Sequence, residues 1–161
     1  GVQTCALPIS RLAFGCALIV LFAIDLEHHL LPNAITLPGI AVGLAFSVVT
    51  EPGWLASVIG ALVGGGSLWL IAEAYYRLRH EEGLGMGDVK MLAMIGAFGG
   101  LYPGLVYGFT FGSLFGAVCG IALVLGKGAT TRLSVPFGPF LAFGALIEVY
   151  FGAQIARLWH L

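Results

Sequence analysis

Charge is what this sequence has least of. Only 9% of its 161 residues are Asp, Glu, Lys or Arg, where a soluble domain carries about 25%. Aspartate and lysine are the scarcest of the four, with two each, and Asp25 and Asp88 are the only aspartates in the whole chain. The net charge of −1 offers no basic surface to a nucleic acid. The three cysteines, Cys5, Cys16 and Cys119, form no CxxC pair, which argues against a zinc site or a disulfide framework. His28 and His29 have no third ligand at metal spacing, so no metal or other cofactor is expected. No basic segment precedes the first apolar run, so nothing there has the form of a signal peptide. Repeats, low-complexity tracts and a second domain are also missing.

What fills the space is apolar. Hydrophobic residues make up 59% of the chain, and the mean hydropathy is +1.01. That composition excludes a soluble core and predicts an all-α, polytopic transmembrane helical bundle of about six membrane segments. The runs fall at 11–24, 33–50, 54–76, 88–98, 103–125 and 136–159. Pro32 and Asn33 break the chain after the first and start the second, with Asn33 placed to cap it. The fourth would measure about 16 Å, too short to cross a ~30 Å hydrocarbon core without extension. Residues 77–87 form the longest polar loop and are expected to be the most mobile internal segment. Residues 1–10, GVQTCALPIS, fit the first helix poorly and read as a non-native addition, leaving 11–161 as one membrane-embedded domain. Twenty-five glycines suit such a bundle, because membrane helices use small residues to pack closely.

Both aspartates sit at the ends of apolar runs. Asp25 closes the first, followed by Leu26, Glu27, His28 and His29. Asp88 opens the fourth, within GLGMGDVKMLAMIGAFGG, residues 83–100. Gly85 and Gly87 before it allow a tight turn and close approach of another chain. Alternating the six segments collects Arg77, Arg79, Lys90, Lys127 and Arg132 on one face and leaves Arg11 and Arg157 on the other. The positive-inside rule makes the first face cytoplasmic, and both aspartates fall on it. Two carboxylates brought within a few ångströms share a proton: one takes a proton from water while the other, neutral, polarises a carbonyl. Each aspartate also has a plainer reading. Asp25 could be a solvated helix-end charge and Asp88 the N-cap of its helix. Lys90 reads first as a snorkelling anchor, Glu27 as a solvated loop charge, and Glu73 and Glu148 as interior hydrogen-bonding groups. A transporter subunit carrying protons or cations on the two aspartates is the alternative function.

Three blocks together resemble the type IV prepilin peptidases. IDLEHHLLPNAITLP (24–38) resembles their first aspartate motif, GMGDVKMLAMIGAFGG (85–100) their GxGD motif, and VPFGPFLAFGA (135–145) their last-helix signature. The resemblance runs from about Phe14 to the C-terminus. It implies a polytopic aspartic endopeptidase of the prokaryotic inner membrane. Such an enzyme removes the leader peptides of type IV prepilins and type II secretion pseudopilins on the cytoplasmic side. By the motif match, Asp25 and Asp88 would be the catalytic pair and Gly85 and Gly87 would shape the loop. Lys90, Glu27, Pro32 and Asn33 would be supporting positions. Many relatives have Asp at the position of Asn33. Bacterial relatives also carry an N-terminal segment with paired CxxC motifs, linked to methylation of the new N-terminus; the resemblance does not extend to it.

Overall fold

The computed structural model describes residues 2–80, 85–127 and 137–159. Six α-helices account for almost all of them: α1 (Val2–His28), α2 (Asn33–Phe46), α3 (Trp54–Arg79), α4 (Met86–Gly99), α5 (Val106–Lys127) and α6 (Gly138–Trp159). Three apolar stretches are long enough to cross a membrane, Cys5–His28, Trp54–Arg79 and Met86–Leu123. Asn33–Phe46 and Gly138–Gly152 are shorter apolar helices. The large side chains on the outside are apolar too, among them Ile19, Leu62, Leu70, Leu114 and Val118. A surface of that kind belongs in hydrocarbon, and the chain is an integral membrane protein.

α4 is the axis of the bundle. Met91, Leu92, Met94, Ile95 and Ala97 along it are all essentially inaccessible. Glycines let its neighbours come close. A Cβ on Gly96 would run into the carbonyl oxygen of Gly60 on α3, and one on Gly64 would lie 2.7 Å from the carbonyl of Leu92. The pairing of 60 with 96 and 64 with 92 makes α3 antiparallel to α4. α2 runs parallel to it, with Gly39 against Met94 and Gly43 against Phe98. α1 runs antiparallel along α6, where Gly15 meets Tyr150 and Leu146, and Phe14 stacks on Phe98 at 4.4 Å. Without a hydrophobic drive between helices in lipid, this close backbone packing is the main source of cohesion.

Several sequence-based boundaries shift. α1 continues past Ile24 through His28, so Asp25 lies inside the helix rather than beyond its end. It also reaches back through residues 2–10, where Ser10 is buried and its hydroxyl donates to the Leu7 carbonyl at 2.9 Å. α2 stops at Phe46, and residues 47–50 form turns. α4 spans Met86–Gly99, about 21 Å at 1.5 Å per residue. It gains its remaining length from a wide turn of π type, Gly100–Leu105, broken by an extended Tyr102 (φ −133°, ψ 132°). Gly100 has φ +67°, and a Cβ there would lie 2.7 Å from Pro52 Cγ. Glycine satisfies both demands. Of the loop expected to be most mobile, residues 81–84 lie outside the described residues, as does nearly all of the loop before α6.

Candidate active site

Asp25 stands in the last turn of α1, whose end is marked by His29 in the left-handed region at φ 50°. The His29 amide donates to the Asp25 carbonyl at 3.0 Å. Burial decides between the two readings of this residue. Asp25 is only 5% exposed, so it is no solvated helix-end charge. Its carboxylate abuts the first residue of α6: a Cβ on Gly138 would run into Oδ2. Gly138 was visible in the sequence only as part of a motif. What gives it a place in the site is the absence of a side chain where Asp25 needs room.

Asp88 lies in the first turn of α4 and is half-buried. It is not the N-cap. Gly85 holds that position, with no side-chain capping bond, and the Asp88 amide donates to the Gly85 carbonyl at 3.1 Å. A carboxylate in the first turn is favoured by the unsatisfied amides and dipole there. Gly85, at the N-cap, is exposed and leaves the Asp88 carboxylate uncovered on that side, 3.7 Å from where a Cβ would stand.

The two aspartates belong to one site. Asp25 is near enough for its charge to act on Asp88, and His29 is near enough to act on Asp25 in the opposite sense. Leu31, 6% exposed, packs between the start of α4 beside Asp88 and the start of α6 beside Asp25. A Cβ on Gly87 would lie 2.8 Å from Leu31 Cβ, and one on Gly138 would lie 3.2 Å from Leu31 Cδ1. The site therefore has an apolar wall of one leucine between two glycines. In the sequence Leu31 is one apolar residue of the 24–38 block with nothing to single it out. Among the described residues, neither aspartate carboxylate is taken up by a hydrogen bond or ion pair, which leaves both for water or a substrate.

The remaining expected positions divide. Lys90 does not snorkel: its ammonium donates to Asn33 Oδ1 at 2.6 Å, joining the second turn of α4 to the first residue of α2. Asn33 does not cap α2. Pro32 occupies the N-cap, and its carbonyl accepts from the amides of Ile35 (3.1 Å) and Thr36 (3.3 Å) and from the Thr36 hydroxyl (3.3 Å). Glu27 points away, exposed, with His28 Nε2 3.9 Å from its carboxylate. Glu73 accepts from Arg77 Nε at 2.8 Å one turn on, at the helix surface rather than in the interior. Glu148 lies in a different cavity, away from the aspartates. Among the described residues no three His, Cys, Asp or Glu side chains gather to hold a metal ion.

The chain was compared with known proteins. The type IV leader peptidase family matches residues 12–121. The leader peptidase HopD of Escherichia coli is 40% identical over 83% of this chain and 87% of its own length. The prepilin leader peptidase/N-methyltransferase of Dichelobacter nodosus is 36% identical over 92% of this chain. That of Pseudomonas aeruginosa is 35% identical over 88%. The chain spans about half the length of these two larger relatives (50% and 49%). No solved structure matches it. These likenesses extend over most of the chain, and the chain belongs to the type IV leader peptidase family.

Proposed function

We propose that this chain is a membrane aspartic endopeptidase. On this reading it removes leader peptides from type IV prepilins or type II secretion pseudopilins, with Asp25 and Asp88 as the catalytic pair and residues 11–161 as the peptidase domain. The observation that carries the reading is a buried aspartate acting on a second one across a wall free of side chains at Gly87 and Gly138. The pair holds one proton. The ionised carboxylate takes a proton from water as that water attacks the scissile carbonyl, while the neutral one donates to the carbonyl oxygen. The resulting diol collapses as the carboxyl that took the water proton passes it to the leaving nitrogen and the other carboxylate takes a proton from a diol hydroxyl, which breaks the C–N bond, re-forms a carbonyl and restores the pair to its starting charge. The exposed Gly85 supplies backbone that an extended substrate can pair with. The charge bias of the loops supports a cytoplasmic facing for this site, in the inner membrane of a prokaryote. The leader peptidases among the relatives support this function and leave the transporter reading without support. No methyl transfer is proposed for these residues.

The test is a leader-removal assay with a purified prepilin. The wild-type chain should shorten the prepilin, and Asp88→Asn should not. Near-normal cleavage by Asp88→Asn would overturn the assignment.

A further inference from the structure

A cavity lies at the other end of the bundle from the aspartates. It measures about 130 Å³ and is lined by Ser10, Arg11, Glu51, Phe98, Pro103 and Glu148, among others. Arg11 stands about 21 Å along α1 from Asp25 at 1.5 Å per residue, so the cavity is at the opposite membrane face. Its walls are the start of α1, the loop between α2 and α3, the turn after α4, and the middle of α6.

Its charges are what need explaining. Glu148 is half-buried in an apolar helix, and its carboxylate sits between α4 and the next turn of α6. A Cβ on Gly99 would lie 3.7 Å from Oε2 and one on Gly152 3.3 Å from Oε1. Arg11 acts on it electrostatically, yet among the described residues neither Arg11 nor Glu51 nor Glu148 is joined in an ion pair or side-chain hydrogen bond. An acid and a base that line one cavity without closing on each other leave room for a group carrying both signs. A simple anion would meet two carboxylates there, and a simple cation would meet the guanidinium. Leu7, Phe14 and Val149 add an apolar side to the same cavity.

We propose that this cavity binds the head group of a zwitterionic phospholipid, with the phosphate on Arg11 and a primary ammonium between Glu51 and Glu148. Guanidinium is suited to phosphate oxygens through paired N–H donors. A primary ammonium can donate to both carboxylates, which a trimethylammonium cannot. The apolar side receives the glycerol end of the acyl chains, at the depth where head groups lie. The site is independent of the proposed peptidase activity.

The full chain in detergent micelles is titrated with phosphatidylethanolamine, phosphatidylcholine, phosphatidylglycerol and free phosphoethanolamine, and bound ligand is read by native mass spectrometry. Phosphatidylethanolamine should bind about 10-fold or more tightly than the other two lipids and than free phosphoethanolamine. Arg11→Gln and Glu148→Gln should each weaken it by about 10-fold or more, the loss of one charge-assisted contact. Arg11→Lys should recover only part of the affinity, because a point-charge ammonium cannot make the paired bonds. Arg11 is exposed, so its variants decide the matter if Glu148→Gln fails to fold. Equal binding of phosphatidylglycerol, or Arg11→Gln binding like the wild type, would overturn the proposal. Equal binding of free phosphoethanolamine would replace the lipid with a soluble zwitterion and overturn it also. Leader removal by Arg11→Gln in detergent should be unchanged.

Discussion

At the scale of single residues, a carboxylate can do what its isosteric amide cannot. Asp25→Asn and Asp88→Asn keep shape and some hydrogen bonding but cannot ionise or pass a proton. Each should lower leader removal by about 10²–10⁴-fold, the usual worth of a general acid or base. The double variant should be little worse than either single one, because the pair acts as a unit. Additive losses in the cleavage assay would separate the two groups. Lys90→Ala removes the 2.6 Å bond to Asn33. That bond is exposed, and its loss should cost about 1 kcal/mol or less. Activity should therefore fall by no more than about 10-fold, and Asn33→Asp should support it at least as well as Asn33. A Lys90→Ala enzyme as dead as Asp88→Asn would move Lys90 into the chemistry.

At the scale of helices, the structure turns on places where two backbones touch. Gly96→Ala on α4 would press a methyl on the Gly60 carbonyl. Main chain cannot yield as a side-chain tip does, so the cost should be about 1–3 kcal/mol, seen as a lower thermal midpoint in detergent. Gly138→Ala carries a different expectation. Its methyl would meet the Asp25 carboxylate rather than backbone, so cleavage should fall well before stability does. The helices themselves were legible in the sequence, because long apolar runs broken by Pro32, Pro52 and the polar 77–87 stretch have one physical solution in a bilayer. Their ends were less so. The polar run Asp25–His28 looks like a loop, yet its backbone continues α1 because helix hydrogen bonds do not depend on side-chain polarity. The aspartate pair was readable because acids are so rare here. The caps were not: Asp and Asn at helix starts normally cap, but Gly85 and Pro32 hold those positions, which puts Asp88 and Asn33 inside the first turns. The uses of Leu31 and Gly138 are tertiary facts, and no local pattern marks them.

At the scale of the molecule, the helix registers fix which ends share a face. Asn33 on α2 meets Lys90 on α4, and Gly138 on α6 meets Asp25 on α1, so these four ends lie together. α3 runs antiparallel to α4, which adds Arg77, Arg79 and His80 to that face. Gly100 lies against Pro52 at the far end, beside Glu51 and in the neighbourhood of Arg11. The cation-rich face should be cytoplasmic, since Lys and Arg near span ends are retained on that side. The expected outcome can be read with single cysteines placed in a chain freed of Cys5, Cys16 and Cys119. Glu51→Cys should react with a membrane-impermeant thiol reagent added to intact spheroplasts, and His80→Cys should react only after the membrane is opened. Both positions are exposed, so access to the reagent is set by the membrane and not by packing. The reverse pattern would turn the aspartates outward, and the proposed function, which needs them on the cytoplasmic side, could not stand with that orientation.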